Sequence, residues 1–213
     1  MIHPAAPALS EKQLHILLVA EELFALHGFD GTSVRDIAEK AGVNLAMISY
    51  YFQSKEKLME TLFTMRTQQF HFELNKLIND SNRSSLEKVN YVIDYYTEKL
   101  QKHGNFHKIM VREQQSVDKT YITEKIVELK KTNLAILQNL IRHGQKAGEF
   151  NNVDIKFLMS TLMGTVNHVL TTWHIYRELD DQSGVEEKAY KDHLTKKLKQ
   201  YLKSIFKIIL THE

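Results

Sequence analysis

The sequence predicts an all-α protein, and three observations carry that reading. Prolines occur only at positions 4 and 7, so from Ala8 onward no residue forbids a helix interior. Apolar residues recur at i, i+3, i+4 and i+7 in one segment after another. Strand-like alternation is absent, as is any internal repeat. The 213 residues suffice for one large or two small domains. The pattern divides them into a unit over 9–69 and a longer helical domain over 70–213.

MIHPAAPALS has no charged stretch before an apolar run, so it reads as a disordered lead rather than a signal peptide. The first helix runs over 10–27, with Ile16, Ala20, Leu23 and Phe24 on one face. Gly28 closes it, because the residue after a helix end often needs a positive φ. Ser33 caps the second helix, with Asp36 three residues on as a variant of the S/T-x-x-E box. Val34, Ile37, Ala38 and Ala41 give this helix one apolar face, and Gly42 ends it. Asn44 caps a third helix over 45–52; Ser54 caps a fourth, with Glu56 in its first turn. Two helices joined by a short Gly-containing turn have helix-turn-helix spacing, here about 33–52. The fourth helix continues to about 79, long enough to bridge two domains. NDSNRSS (79–85) then breaks the chain. Helices follow over 86–103, 106–116 and 119–146, then from just after Asn152 or Asp154 to about 179, and last over 186–211.

The third helix holds Leu45, Ala46, Met47, Ile48, Ser49, Tyr50, Tyr51 and Phe52. At helical spacing Ile48 and Phe52 share an inward face, which points Leu45, Ala46, Ser49 and Tyr50 elsewhere. A helix that only packed would not need Ser49 and two tyrosines there. Tyrosine hydroxyls bond phosphates, and apolar atoms contact a thymine methyl. Charge argues the other way. Residues 1–60 carry five lysines and arginines against eight carboxylates, a net −3, while the whole chain is +2. Placement outweighs the sum. Arg35, Lys55 and Lys57 flank the third helix, while Glu21 and Glu22 lie on a helix that can face away.

The stretches ILLVAEELFALHGFDGTSV (16–34), DIAEKAGV (36–43) and YYFQSKEKL (50–58) resemble the DNA-binding domain of the TetR family of bacterial regulators. Beyond about residue 65 the chain resembles that family only in size and helicity. The resemblance implies a ligand-responsive transcriptional repressor, cytoplasmic, that binds a palindromic operator on double-stranded DNA as a homodimer. It places Thr32, Ser33, Tyr50 and Lys55 on phosphates, and Asn44, Leu45, Ala46 and Ser49 on bases or the groove wall. Arg35 and Tyr51 complete the expected DNA-facing set. Many members carry lysine and glycine where this chain has Leu45 and Ala46, which removes one donor to guanine. The residues alone leave a second reading open: a helical interaction or scaffold protein that keeps the helix-turn-helix as a packing unit.

The last helix carries a broad apolar stripe: Leu194, Leu198, Tyr201, Leu202, Ile205 and Ile209, with Ile208 beside it. It fits either packing on its own domain or a two-fold interface, and the resemblance favours the interface. The long helix before it is apolar with Asn167, His168, Thr171 and Thr172 embedded, a composition that suits a small-molecule effector pocket. Candidate pocket residues are Met110, Met159, Met163, His168 and Trp173, with Tyr95, His107 and Asn133 as further candidates. Enzyme chemistry is not expected. There is no Gly-rich phosphate loop, no G-x-S-x-G and no H-E-x-x-H. The absence of cysteine excludes disulfides and thiolate metal sites, and the histidines are scattered, so neither metal nor cofactor is expected. No apolar run of about 18 residues exists to span a membrane.

Overall fold

The computed structural model describes residues 9–115 and 121–211. Among these residues there are ten helices and no strand: α1 (Glu11–His27), α2 (Val34–Lys40), α3 (Leu45–Phe52), α4 (Lys55–Ile78), α5 (Ser85–Lys102), α6 (Gly104–Gln114), α7 (Tyr121–Lys146), α8 (Ile155–Thr171), α9 (Trp173–Leu179) and α10 (Glu187–Leu210). They form two compact units, Met1–Phe72 with Gly104–Leu129, and Glu73–His103 with Lys130–Glu213. Thus α6 and the first part of α7 belong with the N-terminal helices, which a single boundary near residue 69 does not capture.

Local chemistry sets the helix ends of the first unit. Ser10 and Gln13 make a reciprocal capping box at the start of α1. Ser33 and Asp36 make another: the Asp36 N–H donates to Ser33 Oγ at 3.1 Å, and the Ser33 N–H donates to Asp36 Oδ2 at 2.7 Å. Aspartate is therefore long enough to close the box. Those bonds from the Ser33 backbone and hydroxyl hold the Asp36 carboxyl below its usual range. Gly42, at φ 65°, ends α2 in a Schellman turn: the Val43 N–H donates to Ala38 O at 3.0 Å and the Gly42 N–H to Glu39 O at 3.1 Å. Asn44 caps α3 through Oδ1, which accepts from the Met47 N–H at 2.8 Å.

The core of this unit joins Ile16, Leu17, Ala20 and Phe24 of α1 to Ile37 and Ala38 of α2, Ile48 and Phe52 of α3, and Leu58 and Leu62 of α4. Phe106, Ile109 and Met110 of α6 extend it. Ile48 and Phe52 are only 2% and 3% exposed, so the inward face of α3 is fixed by packing. Truncating Ile48 to alanine would cost about 2–5 kcal/mol. Glu21 is buried as well, so it does not face away from the fold as its sequence position allowed.

In the second unit α10 packs on α5 and α8. Leu194, Leu198, Leu202, Phe206 and Leu210 bury one side of α10. Each such burial contributes about 1.5–3 kcal/mol. Lys203 also pairs with Asp94 of α5 at 2.6 Å, with both side chains about a third exposed. A pair that wet contributes about 0–1 kcal/mol, so packing rather than charge holds α10 in place. Asn151 ties down the end of α10: its N–H donates to Leu210 O at 2.7 Å and its amide to Thr211 O at 2.9 Å.

One expected helix is two. The run expected to reach 179 unbroken stops at Thr171, and α9 restarts at Trp173 after Thr172 at φ −107°, ψ 22°. Thr172 Oγ1 donates to His168 O at 2.6 Å and Thr171 Oγ1 to Asn167 O at 2.7 Å. Threonine hydroxyls bonded back to the preceding turn bend helices, and two in succession stand at this break.

Candidate nucleic-acid interface

With Ile48 and Phe52 buried, α3 turns a second face outward. Leu45 is 43% exposed and Tyr50 81% exposed; Ala46 and Ser49 are exposed between them. The Tyr50 and Tyr51 rings meet edge-on, with centroids 5.2 Å apart, and Tyr51 is half-buried against the core. This contact leaves the Tyr50 hydroxyl as the outward polar end of the helix. Asn44 accepts at its Oδ1 from the cap, so its amide N–H groups are what it can present to a base. Ser33, at the start of α2, and Arg35 are exposed on the neighbouring helix. These exposed residues offer hydroxyl, amide, guanidinium and apolar groups, which is the chemistry that phosphates and base edges require.

Two residues expected on phosphates are also engaged within the fold. Thr32 is 1% exposed, and its hydroxyl donates to Gly28 O at 2.8 Å, with Leu23 O the longer alternative at 3.3 Å. A buried hydroxyl bonded to a backbone carbonyl holds the loop. Lys55 is similarly engaged. Its Nζ donates to Phe29 O at 2.8 Å and Thr32 O at 3.0 Å, and lies 4.2 Å from the centroid of the Phe29 ring. These contacts tie the start of α4 to the α1–α2 loop. No feature of the sequence signalled this, because the acceptors are backbone carbonyls 26 and 23 residues away.

The second unit holds an apolar cavity between α5, α7, α8 and α10. Its walls include Val89, Ile93, Leu137, Leu162 and Phe206, and every lining residue is apolar. It is small, with room inside for roughly one water molecule. Of the expected pocket residues only Met159 lines it. Met110 is buried in the core of the first unit, and His107 lies on the same helix, so neither belongs to this cavity. The Tyr95 ring stacks on Tyr91, and burial holds its phenol above the usual range. Asn133 is buried, Met163 is half-buried and His168 is exposed, all off the cavity wall. Trp173 lies under the Lys191 ammonium, 4.1 Å from its ring centroid. Among the described residues no group of three metal-ligating side chains forms, and no helix is long and apolar enough to cross a membrane.

The expected dimer stripe divides. Leu194, Leu198 and Leu202 are buried inside their own unit, which leaves them almost no surface to offer a partner. Tyr201, Ile208 and Ile209 are 59%, 63% and 38% exposed, and Ile205 is half-buried between the two sets. The apolar stripe was broad enough for two faces, and spacing alone did not separate them.

A family model described as bacterial regulatory proteins, tetR family, matches residues 16–62, and one described as tetracyclin repressor-like, C-terminal domain, matches residues 82–175. The chain belongs to the TetR family. It is 28% identical over 163 residues to the fatty acid metabolism regulator protein of Bacillus subtilis strain 168, spanning 76% of this chain and 83% of that protein. The crystal structure of the transcriptional regulator FadR from Bacillus subtilis in complex with stearoyl-CoA matches at TM-score 0.63 and 26% identity, over 87% of this chain and 96% of that one. The ketosteroid transcriptional regulator KstR2 of Mycobacterium tuberculosis shares the fold at TM-score 0.72 and 22% identity, over 97% of this chain and 98% of that one. As a TetR-family protein, this chain is a DNA-binding transcriptional regulator, and the outward side of α3 falls inside the N-terminal match.

Proposed function

We propose that this TetR-family protein is a homodimeric repressor whose two α3 helices read a palindromic operator, and that an effector with a long apolar tail releases it. The observation that carries the DNA reading is the outward face of α3, with Tyr50, Ser49 and Ala46 exposed above a buried Ile48 and Phe52. A helix kept only for packing has no use for that face, which argues against the scaffold reading. One short helix reads too few base pairs, whereas a two-fold pair addresses half-sites about 34–36 Å apart.

Tyr201, Ile208 and Ile209 on α10 are the proposed partner surface, since they are apolar, exposed and on one helix. Replacing Tyr201 and Ile208 with glutamate puts four charges into the two-fold contact. The expected result is a monomer by size exclusion; a dimer of unchanged mass places the interface elsewhere.

For the effector, the all-apolar cavity wall supports a hydrocarbon tail, since a polar ligand would find no partner there. The FadR structure with stearoyl-CoA supports a fatty acyl thioester as that tail's source. A chain of that length has to part α8 from its neighbours, because the closed interior holds about one water. A ligand shifts the DNA-binding equilibrium only by its differential affinity for the two states. Operator binding is measured by fluorescence anisotropy with palmitoyl-CoA and with free CoA. The expected outcome is release by the first and not the second; equal insensitivity to both refutes the acyl reading.

A further inference from the structure

Glu21 stands on α1 inside the apolar core at 3% exposure, where an unpaired carboxylate would not persist. Arg66 of α4 answers it, with Nε and Nη2 donating to Oε2 at 2.9 and 2.6 Å. The other oxygen, Oε1, accepts from the backbone N–H of Phe106 at 3.1 Å. Phe106 lies in the first turn of α6, where backbone N–H groups have no partner within the helix. Its ring meets that of Phe63 of α4 edge-on, with centroids 5.0 Å apart. Glu21, Arg66 and Phe106 all lie in the first unit, and Phe106 shares one core with Ile48 and Phe52 of α3.

The division of the two oxygens matters. The first turn of α6 can withdraw from Oε1 while the buried ion pair at Oε2 stays whole. Withdrawal loses one charge-assisted hydrogen bond and leaves no orphaned charge. We infer that Glu21 is a positioning residue for operator binding: Oε1 seats the first turn of α6 on α1 and α4, and unseating that turn weakens the hold of α3 on DNA. The direction follows from the shared core, because withdrawing Phe106 shifts α1 and α4 beneath Ile48 and Phe52 and so re-aims α3, while the backbone hydrogen bonds of α2 and α3 stay made. The inference rests on the DNA-binding reading.

The test uses the full chain and replaces the pair together, Glu21→Leu with Arg66→Met, so that no buried charge is left alone. On the free protein, hydrogen exchange of the amides at 105–108 is expected to quicken about tenfold or more, with those of α2 and α3 unchanged. On a duplex that the wild type selects from a random pool, Kd is expected to rise about tenfold with an unchanged salt slope. Glu21→Gln with Arg66→Gln is the second variant, a polar pair that leaves no charge unpaired. A neutral amide oxygen holds the Phe106 N–H more weakly than a carboxylate does, so the same local pattern is expected. Wild-type exchange at 105–108 in both variants overturns the seat. Uniformly faster exchange across α1–α4 reduces Glu21 to plain structural support and overturns the role. Local quickening with wild-type affinity refutes the role alone, whereas a wild type that selects no duplex refutes the DNA-binding reading and this role with it.

Discussion

Replacing Lys55 with methionine removes an ammonium that donates to Phe29 O and Thr32 O at 2.8 and 3.0 Å and faces the Phe29 ring. The stem stays and the charge goes. Hydrogen bonds from a charged group contribute about 1.5–3 kcal/mol, and the half-buried setting of Lys55 favours the lower end. The cation–π contact adds about 0.5–1 kcal/mol. A net loss of about 2 kcal/mol lowers the melting temperature of a chain this size by about 4–8 °C. The DNA readout separates the two roles. Each phosphate contact contributes about 0.9 to the slope of log K against log salt, so a dimer that lost one contact per protomer would flatten by about 1.8. Because the ammonium is engaged by carbonyls, Lys55→Met is expected to weaken every duplex alike and keep the slope within about 0.5 of wild type. Arg35→Ala, which removes an exposed cation, is the comparison, and it is expected to flatten the slope by about 1.8. The assay is anisotropy across a salt series with a differential melting scan. A flattened slope with an unchanged melting temperature in Lys55→Met would return this residue to the DNA backbone and refute the reasoning.

Two further outcomes follow from geometry in the same way. A Cβ on Gly144 would lie 2.3 Å from Phe150 Cδ2 and 2.6 Å from Cε2, against a ring that is 5% exposed. Gly144→Ala is therefore expected to destabilise by about 1–3 kcal/mol in urea unfolding, and an unchanged midpoint would mean that the ring yields freely. The carboxyls of Asp36, Glu87 and Glu186 are all held low, chiefly by backbone N–H groups at helix starts. A lowered folded value means that the stabilisation is present above the ordinary carboxylate range and is lost as pH falls through the lowered values. Helical circular dichroism is expected to hold down to about pH 4 and to fall below it, and a loss already near neutrality would contradict this assignment.

The helix ends were legible because capping is local chemistry. Ser33 with Asp36, Asn44 and Gly28 each act within four residues, and α3 spans Leu45–Phe52 as its pattern implied. The inward pair Ile48 and Phe52 was legible for the same reason: period and burial agree when one face is apolar. What escaped the sequence is long-range. The break at Thr172 needs two threonine hydroxyls turned back on the helix, and β-branched residues do not announce that in a composition otherwise suited to a helix. Lys55 and Thr32 were read as DNA-facing because their family positions suggested it, and their partners within the fold are carbonyls brought near only by folding. Glu21 looked like solvated charge until Arg66, 45 residues on, closed over it. Leu194, Leu198 and Leu202 shared a stripe with Tyr201 and Ile209, and only the positions of α5 and α8 decide which side is covered.

The central claim is that one exposed helix face, presented twice by a symmetric pair, reads DNA. Selecting duplexes from a random pool with the full chain, and repeating the selection with Ser49→Ala and Ala46→Gln, tests it most directly. The account predicts an inverted repeat with half-site centres about 34–36 Å apart, and a preference that changes at matching positions of both halves in each variant. Retained duplexes without two-fold symmetry, or a preference indifferent to both substitutions, would contradict it.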